Sequence, residues 1–136
     1  MRKLQTGSSL EEFAGYSRAV RVGPVIAVSG TTANGAQGEP LHRGDTGAQT
    51  EASLSRAIES VVGLGGARES IVRTRVLLTP DADWRAASRV HAELLGDVAP
   101  ANSMYVVHSL IGDGFLVEVE VDAFVEADET QGHVAT

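Results

Sequence analysis

The sequence predicts a two-layer α+β domain in which one sheet carries both of its helices on the same face. Three observations point to that class. The run Leu116 to Phe124 alternates valines with carboxylates, so a two-residue repeat sends Val117, Val119 and Val121 to one face and Glu118, Glu120 and Asp122 to the other. Two segments, around Leu54 and around Ala87, repeat apolar residues at helical spacing. The elements follow in the order strand, strand, helix, strand, helix, strand, strand, and 136 residues that are 43% hydrophobic suffice for one ordinary core. A single domain is expected over residues 1–126, followed by a disordered polar tail over 127–136.

Taken in order, Arg18 to Val22 and Val25 to Ser29 form a hairpin around the Gly23-Pro24 turn. Thr31 to Gly44, rich in Gly, Asn and Gln, is a loop, or a loop with one weak strand, long enough to shape a pocket rim. A helix begins near Asp45 or Thr46, where Thr46-x-x-Gln49 has the form of a capping box. Its core stripe is Leu54, Ala57, Ile58, Val61 and Val62, and Gly63, Gly65 and Gly66 end it. Those glycines follow a helix and do not precede one, which is the wrong context for a phosphate loop. Ile71 to Thr79 is a strand with Val72, Thr74, Val76 and Leu78 on one face and Arg73 and Arg75 on the other. The second helix is capped by Asp81 or Asp83 and buries Trp84, Ala87, His91, Leu94 and Leu95. Ser103 to Leu110 is a strand joined through an Asp113-Gly114 hairpin turn to the acid-bearing strand Leu116 to Val125. On the uncovered sheet face, Arg73 and Arg75 would meet Glu118, Glu120 and Asp122.

Composition removes several functions. With no cysteine there are no disulfides, thiolate nucleophiles or thiolate metal sites. His42, His91, His108 and His133 lie far apart without ligand spacing, so no metal is expected. A formal net charge of −7 works against a nucleic-acid partner, because phosphate contacts need a basic face. The N-terminus has basic residues but no apolar run behind them, so neither a signal peptide nor a membrane span is expected and the cytoplasm is the default location.

Three groups of residues together resemble the RidA/YjgF family of small trimeric proteins. They are Gly15-Tyr16-Ser17-Arg18-Ala19-Val20 with Val28-Ser29-Gly30, then Val72-Arg73-Thr74-Arg75-Val76, then Pro100-Ala101-Asn102 with Leu116-Val117-Glu118-Val119-Glu120. Their order, and a helix running from Gly44-Asp45 to Gly65-Gly66-Ala67, extend the resemblance over most of the chain. It implies a chorismate-mutase-like fold, a homotrimer whose sheets line a central barrel, and ligand clefts between subunits. It also implies cofactor-free hydrolysis of reactive enamines and imines, such as 2-aminoacrylate, to a keto acid and ammonia.

The resemblance puts Tyr16, Ser29 with its neighbour Gly30, and Glu118 around the cleft. In that role Glu118 would position a water or move a proton, provided burial raises its pKa. Ser29 has no base at motif spacing and is expected to contact ligand without attacking it. The family's carboxylate-binding arginine, which follows Pro-Ala, is Asn102 here. Replacing a bidentate charged fork with a neutral amide removes about 1.5–3 kcal/mol, so a simple 2-imino acid is a poor substrate and a neutral amide, lactam or carbonyl a better one. Arg18 restores a cation only if its side chain turns into the cleft. The same residues also fit a different class of function, a non-catalytic trimer that binds or senses a small metabolite.

Overall fold

The computed structural model describes residues 1–127, so the expected tail lies almost wholly outside the described residues. The elements are β1 (Arg2–Leu4), α1 (Ser9–Ala14), β2 (Ala19–Val22), β3 (Val25–Thr31), α2 (Thr46–Gly63), β4 (Ile71–Leu78), α3 (Trp84–Leu95), β5 (Ala101–Val106) and β6 (Val117–Phe124). All six strands form one sheet in the order β1-β2-β3-β6-β4-β5. Only β4 and β5 pair in parallel.

This topology explains the two layers. β3 and β4 are both antiparallel to β6, which lies between them, so they run parallel to each other and α2 must cross from one to the other. α3 makes the second crossover, from β4 to its parallel neighbour β5. Both crossovers step the same way across the sheet, and the right-handed preference of such connections puts both helices on one face. Between the helices and the sheet lie Ile26 and Val28 of β3, Leu54, Ala57 and Val61 of α2, Val76 and Leu78 of β4, and Val117, Val119 and Val121 of β6, all buried. The valine face of β6 is therefore the centre of the core.

The opposite face carries neither α2 nor α3. Arg75 lies across from Glu120 in the β4–β6 pairing and reaches diagonally to Asp122, with N···O distances of 3.8 and 3.1 Å. The expected meeting of the β4 arginines with the β6 acids is realised through Arg75.

Several local expectations are corrected. The strand after Pro100 ends at Val106 and never pairs with β6, so Asp113-Gly114 is part of a long loop and not a hairpin turn. β6, with an uninterrupted valine face, takes the central place, and β5 stays on the edge. A bulge between Ile71 and Arg73 shifts the register of β4, which buries Ile71 and leaves Val72 51% exposed. Val62 and Trp84 are likewise exposed, Val62 between the buried Val61 and Leu64 on the far side of α2, and Trp84 at the start of α3. Of the two cap candidates, Asp83 caps α3, accepting from the amides of Arg85 and Ala86, whereas Asp81 accepts from the Thr79 hydroxyl.

The capping box at α2 does not form. Asp45 caps the helix, accepting from the Ala48 amide at 3.0 Å, and the Thr46 hydroxyl accepts instead from the amide of Asp83. Gln49, fully buried, turns away from the helix end. It donates to the carbonyls of Leu41 and Gly114 at 3.0 and 2.9 Å and accepts from the Leu116 amide at 2.8 Å, tying two loops to α2.

Candidate functional site

The residues singled out by sequence form two groups on opposite sides of the sheet. The first lies on the face away from α2 and α3. Gly15 ends α1 in the left-handed conformation, at φ 73°, and turns the chain toward Tyr16 and Arg18. β2 and β3 are then joined beyond their regular pairing by the Ser29 amide, which donates to the Arg18 carbonyl at 3.0 Å, and by the Ser29 hydroxyl, which donates to the Ser17 carbonyl at 2.7 Å. The hydroxyl hydrogen of Ser29 is thus committed, and only its lone pairs face outward.

Next to Ser29 the β3–β6 register slips. Val28 pairs with Val121 and Thr31 with Val119, so Ser29 and Gly30 together oppose Glu120. Such a bulge bends the strand and re-aims its neighbours. Here it brings the Gly30 α-carbon against the carboxyl group of Glu118, and a Cβ at Gly30 would stand 2.8 Å from the Glu118 Cδ. Only a residue without a side chain leaves the carboxyl that room.

Arg18 closes this group. Its guanidinium donates to the Gly30 carbonyl and lies 5.9 Å from the centre of the Tyr16 ring, and its Nε, although buried, has no hydrogen-bond partner among the described residues. Burial raises the pKa of Glu118, the neighbouring charge of Glu120 raises it further, and Arg18 partly opposes both. Glu118, Gly30, Ser29, Arg18 and Tyr16 therefore form one constellation around a carboxyl group that holds its proton more tightly than an ordinary glutamate.

Asn102 belongs to the second group. Its register partner in β4 is Thr74, a fully buried residue on the helix side of the sheet, whereas Glu118 opposes Leu77 on the other side. Asn102 Nδ2 donates to Thr74 Oγ1 at 2.9 Å, and that oxygen lies 2.8 Å from His91 Nε2 on α3. Burial alone lowers the pKa of His91, which favours the neutral ring. Beside Asn102, between α3 and the free edge of β5, runs a groove of about 510 Å³ lined by Leu78, Trp84, Ser88, Met104 and Tyr105. The Arg85 guanidinium covers the Trp84 ring at 4.6 Å.

Within one chain Asn102 and Arg18 thus lie on different faces, and the Arg18 cation serves the Glu118 group. Trp84, Ser88, Thr74 and His91 were not legible as site residues. Each occupies a position that also reads as core or helix surface, and only the β4–β5 register together with the packing of α3 against these strands gathers them. Among the described residues no three His, Cys, Asp or Glu side chains converge as a metal site, and no helix is long and apolar enough to cross a membrane.

The family model described as Endoribonuclease L-PSP matches residues 6–125. The chain belongs to the RidA/YjgF family. SCO2049 of Streptomyces coelicolor, an uncharacterised protein, is 39% identical over 125 residues, covering 91% of this chain and 92% of that protein. The crystal structure of Rv2704, a YjgF-family protein from Mycobacterium tuberculosis, superposes with a TM-score of 0.81 at 40% identity, covering 91% of this chain and 98% of that one. RidA from an Antarctic Psychrobacter shares the fold at a TM-score of 0.77 and 23% identity, over 92% of this chain and the whole of that one. This agrees with the RidA-like mixed sheet and two principal helices expected from sequence.

Proposed function

We propose that this RidA-family chain is a cytoplasmic homotrimer that hydrolyses a reactive imine, an enamine or a related carbonyl metabolite in a cleft between subunits. The observation that carries the reading is the Glu118 carboxyl, whose pKa is raised by burial beside Gly30 and Arg18. A carboxyl that holds its proton more tightly than an ordinary glutamate can work in both directions. It gives its proton to the carbon of an enamine, forming an iminium. The resulting carboxylate then takes a proton from water as the water oxygen adds to the C=N carbon, and the carbinolamine collapses to a carbonyl with loss of ammonia.

Support for the intersubunit cleft comes from the division of the residues. Glu118 and the Asn102 groove lie on opposite sides of one sheet, so one ligand can touch both only if a second copy brings its groove to this open face. A contact between two different surfaces of one chain closes into a ring when the rotation allows, and three copies make the proposed trimer. Asn102, where the family has its carboxylate-binding arginine, moves the substrate away from simple 2-imino acids.

Changing Glu118→Gln in a trimer that remains intact is expected to lower turnover of an imine and enamine panel at least about tenfold, and an unchanged rate would remove Glu118 from the mechanism. The second reading is a non-catalytic metabolite-binding trimer. It is favoured by the Ser29 hydroxyl, whose hydrogen is spent on Ser17 so that it offers ligand an acceptor and no nucleophile. Saturable binding without turnover across the same panel would select it. The endoribonuclease activity in the family model's name finds little support in a chain of net charge −7.

A further inference from the structure

The geometry points to a specificity-determining relay: Thr74 and His91 hold Asn102 with its carbonyl oxygen toward the groove, selecting ligands that present an N–H or O–H donor and rejecting carboxylates. The inference rests on the reading that Asn102 meets the ligand, and it defines what Asn102 asks of that ligand.

The available hydrogens set the polarity of the relay. Thr74 Oγ1 has one hydrogen and two lone pairs, and it is within 2.9 Å of Asn102 Nδ2 and 2.8 Å of His91 Nε2. The amide N–H of Asn102 can only donate, so it takes one lone pair. The second lone pair could accept from a protonated Nε2, but the hydroxyl hydrogen of fully buried Thr74 would then have no acceptor among the described residues. The hydrogen therefore goes to His91 Nε2, which is bare, with the ring proton on Nδ1. Asn102 Nδ2 also lies 3.5 Å from the Thr74 carbonyl, so the whole NH2 group is turned toward β4. Among the described residues this leaves Oδ1 as the edge of the amide offered to the groove.

The opposite polarity needs a hydrogen on His91 Nε2. Thr74 would then accept from the imidazole and pass its own hydrogen to Asn102 Oδ1, and the NH2 group would face outward, suited to a carboxylate. The surroundings disfavour that state. His91 is half-buried, and burial is the sole cause of its shift. The charged residues of β4, Arg73 and Arg75, project to the other face, and β5 carries none. On α3, Arg85 is stacked on Trp84, and Arg89 and Glu93 stand two positions from His91, off its side of the helix. On the neighbouring α2, Arg56 is held by Thr32 and Asn34, and Glu51 and Glu59 are exposed. Thr74 and His91 are accordingly positioning residues, and Asn102 is the group that reads the ligand.

The test uses two five-membered rings that differ in one donor. 2-Pyrrolidinone and cyclopentanone both have a carbonyl, but only the lactam has an N–H; pyruvate supplies the carboxylate. Titrated into the nitrogen-15-labelled full chain, the lactam is expected to shift the Asn102 side-chain signals and to bind at least about tenfold more tightly than the ketone, with pyruvate no better than the ketone. Thr74→Ser, which keeps the hydroxyl, should keep the preference, and Thr74→Val should abolish it. The His91 nitrogen shifts should show a bare Nε2 and a protonated Nδ1 in the folded protein. A protonated Nε2, equal affinity for lactam and ketone, or a preference that survives in Thr74→Val would each overturn the relay, while leaving the proposed hydrolase standing. No ligand shift at Asn102, together with imine turnover unmoved by Asn102→Ala, would remove Asn102 from the cleft and overturn the relay along with the reading that Asn102 meets the ligand, while the turnover itself would uphold the hydrolase.

Discussion

Replacing Gly30 with alanine separates the place of the Glu118 carboxyl from the stability of the fold. The added Cβ would stand 2.8 Å from the Glu118 Cδ and 3.0 and 3.1 Å from its two oxygens. Ordinary carbon contacts are about 3.5–4.0 Å, so the carboxyl must retreat by about 1 Å. The atoms in the way are the far end of a flexible side chain, and the retreat amounts to an off-rotamer cost of about 0.5–1.5 kcal/mol. The glycine-to-alanine change offsets much of this, since it stiffens the unfolded chain by about 0.4–1 kcal/mol. Thermal unfolding should therefore move by no more than about 5 °C. Catalysis is far more sensitive, because a misplacement of about 1 Å can lower the rate about 10²-fold. Ammonia release from an imine generated in situ, measured beside a thermal melt of the same sample, reads both quantities. A variant that keeps the wild-type rate would show that the carboxyl does not act from where it lies. A loss of more than about 3 kcal/mol would show that it cannot yield, and the reasoning would fail on that side.

Two further expectations concern stability. Because folding raises the pKa of Glu118, the folded state binds a proton more tightly than the unfolded chain, so the stability linked to this group is greatest at acid pH and declines as pH rises through the raised value. Glu118→Gln should thus be more stable than wild type at neutral pH and lose that advantage toward pH 4, in denaturant titrations at several pH values; a constant difference would contradict the assigned cause of the shift. Gln49→Leu keeps the volume but strips partners from the Leu41 and Gly114 carbonyls and the Leu116 amide, and is expected to lower stability by about 3 kcal/mol, read as a lower urea midpoint. A loss below about 0.5 kcal/mol would mean that water replaces all three bonds.

The parts of the fold that sequence made plain are those whose periodicity survives into the structure. The valines of β6 alternate without a break, and Leu54, Ala57 and Val61 repeat along α2 as a buried stripe. What it hid depends on long-range pairing. β1 and α1 are too short, at 3 and 6 residues, to show a period of their own. Val72 sits within the register change of β4, between Ile71 and Arg73, and no local pattern announces a bulge. Gln49 has the spacing of a cap residue and the surroundings of a core residue, and only the distant Gly114 and Leu116 decide between them. The site divides in the same way. The face on which Glu118 lies was readable from the alternation of its strand, although only the family resemblance singled it out from Glu120 and Asp122, whereas the side of the sheet on which Asn102 lies follows from parallel pairing with Thr74, a register that sequence does not encode locally.

The two margins of the sheet are unequally protected. At one, β1 is a three-residue strand that carries Arg2 and Lys3, short and charged in the manner that discourages further strands from adding. At the other, β5 runs for six residues with no charge and no proline, and Tyr105 and Val106 are exposed on it. Left bare, such a margin is a template for indiscriminate strand addition. In the proposed trimer a neighbouring copy covers this margin; dilution or interface substitutions that strip the cover away should then produce aggregates in place of a well-behaved single subunit, and under that proposal assembly is a condition of solubility as much as of chemistry.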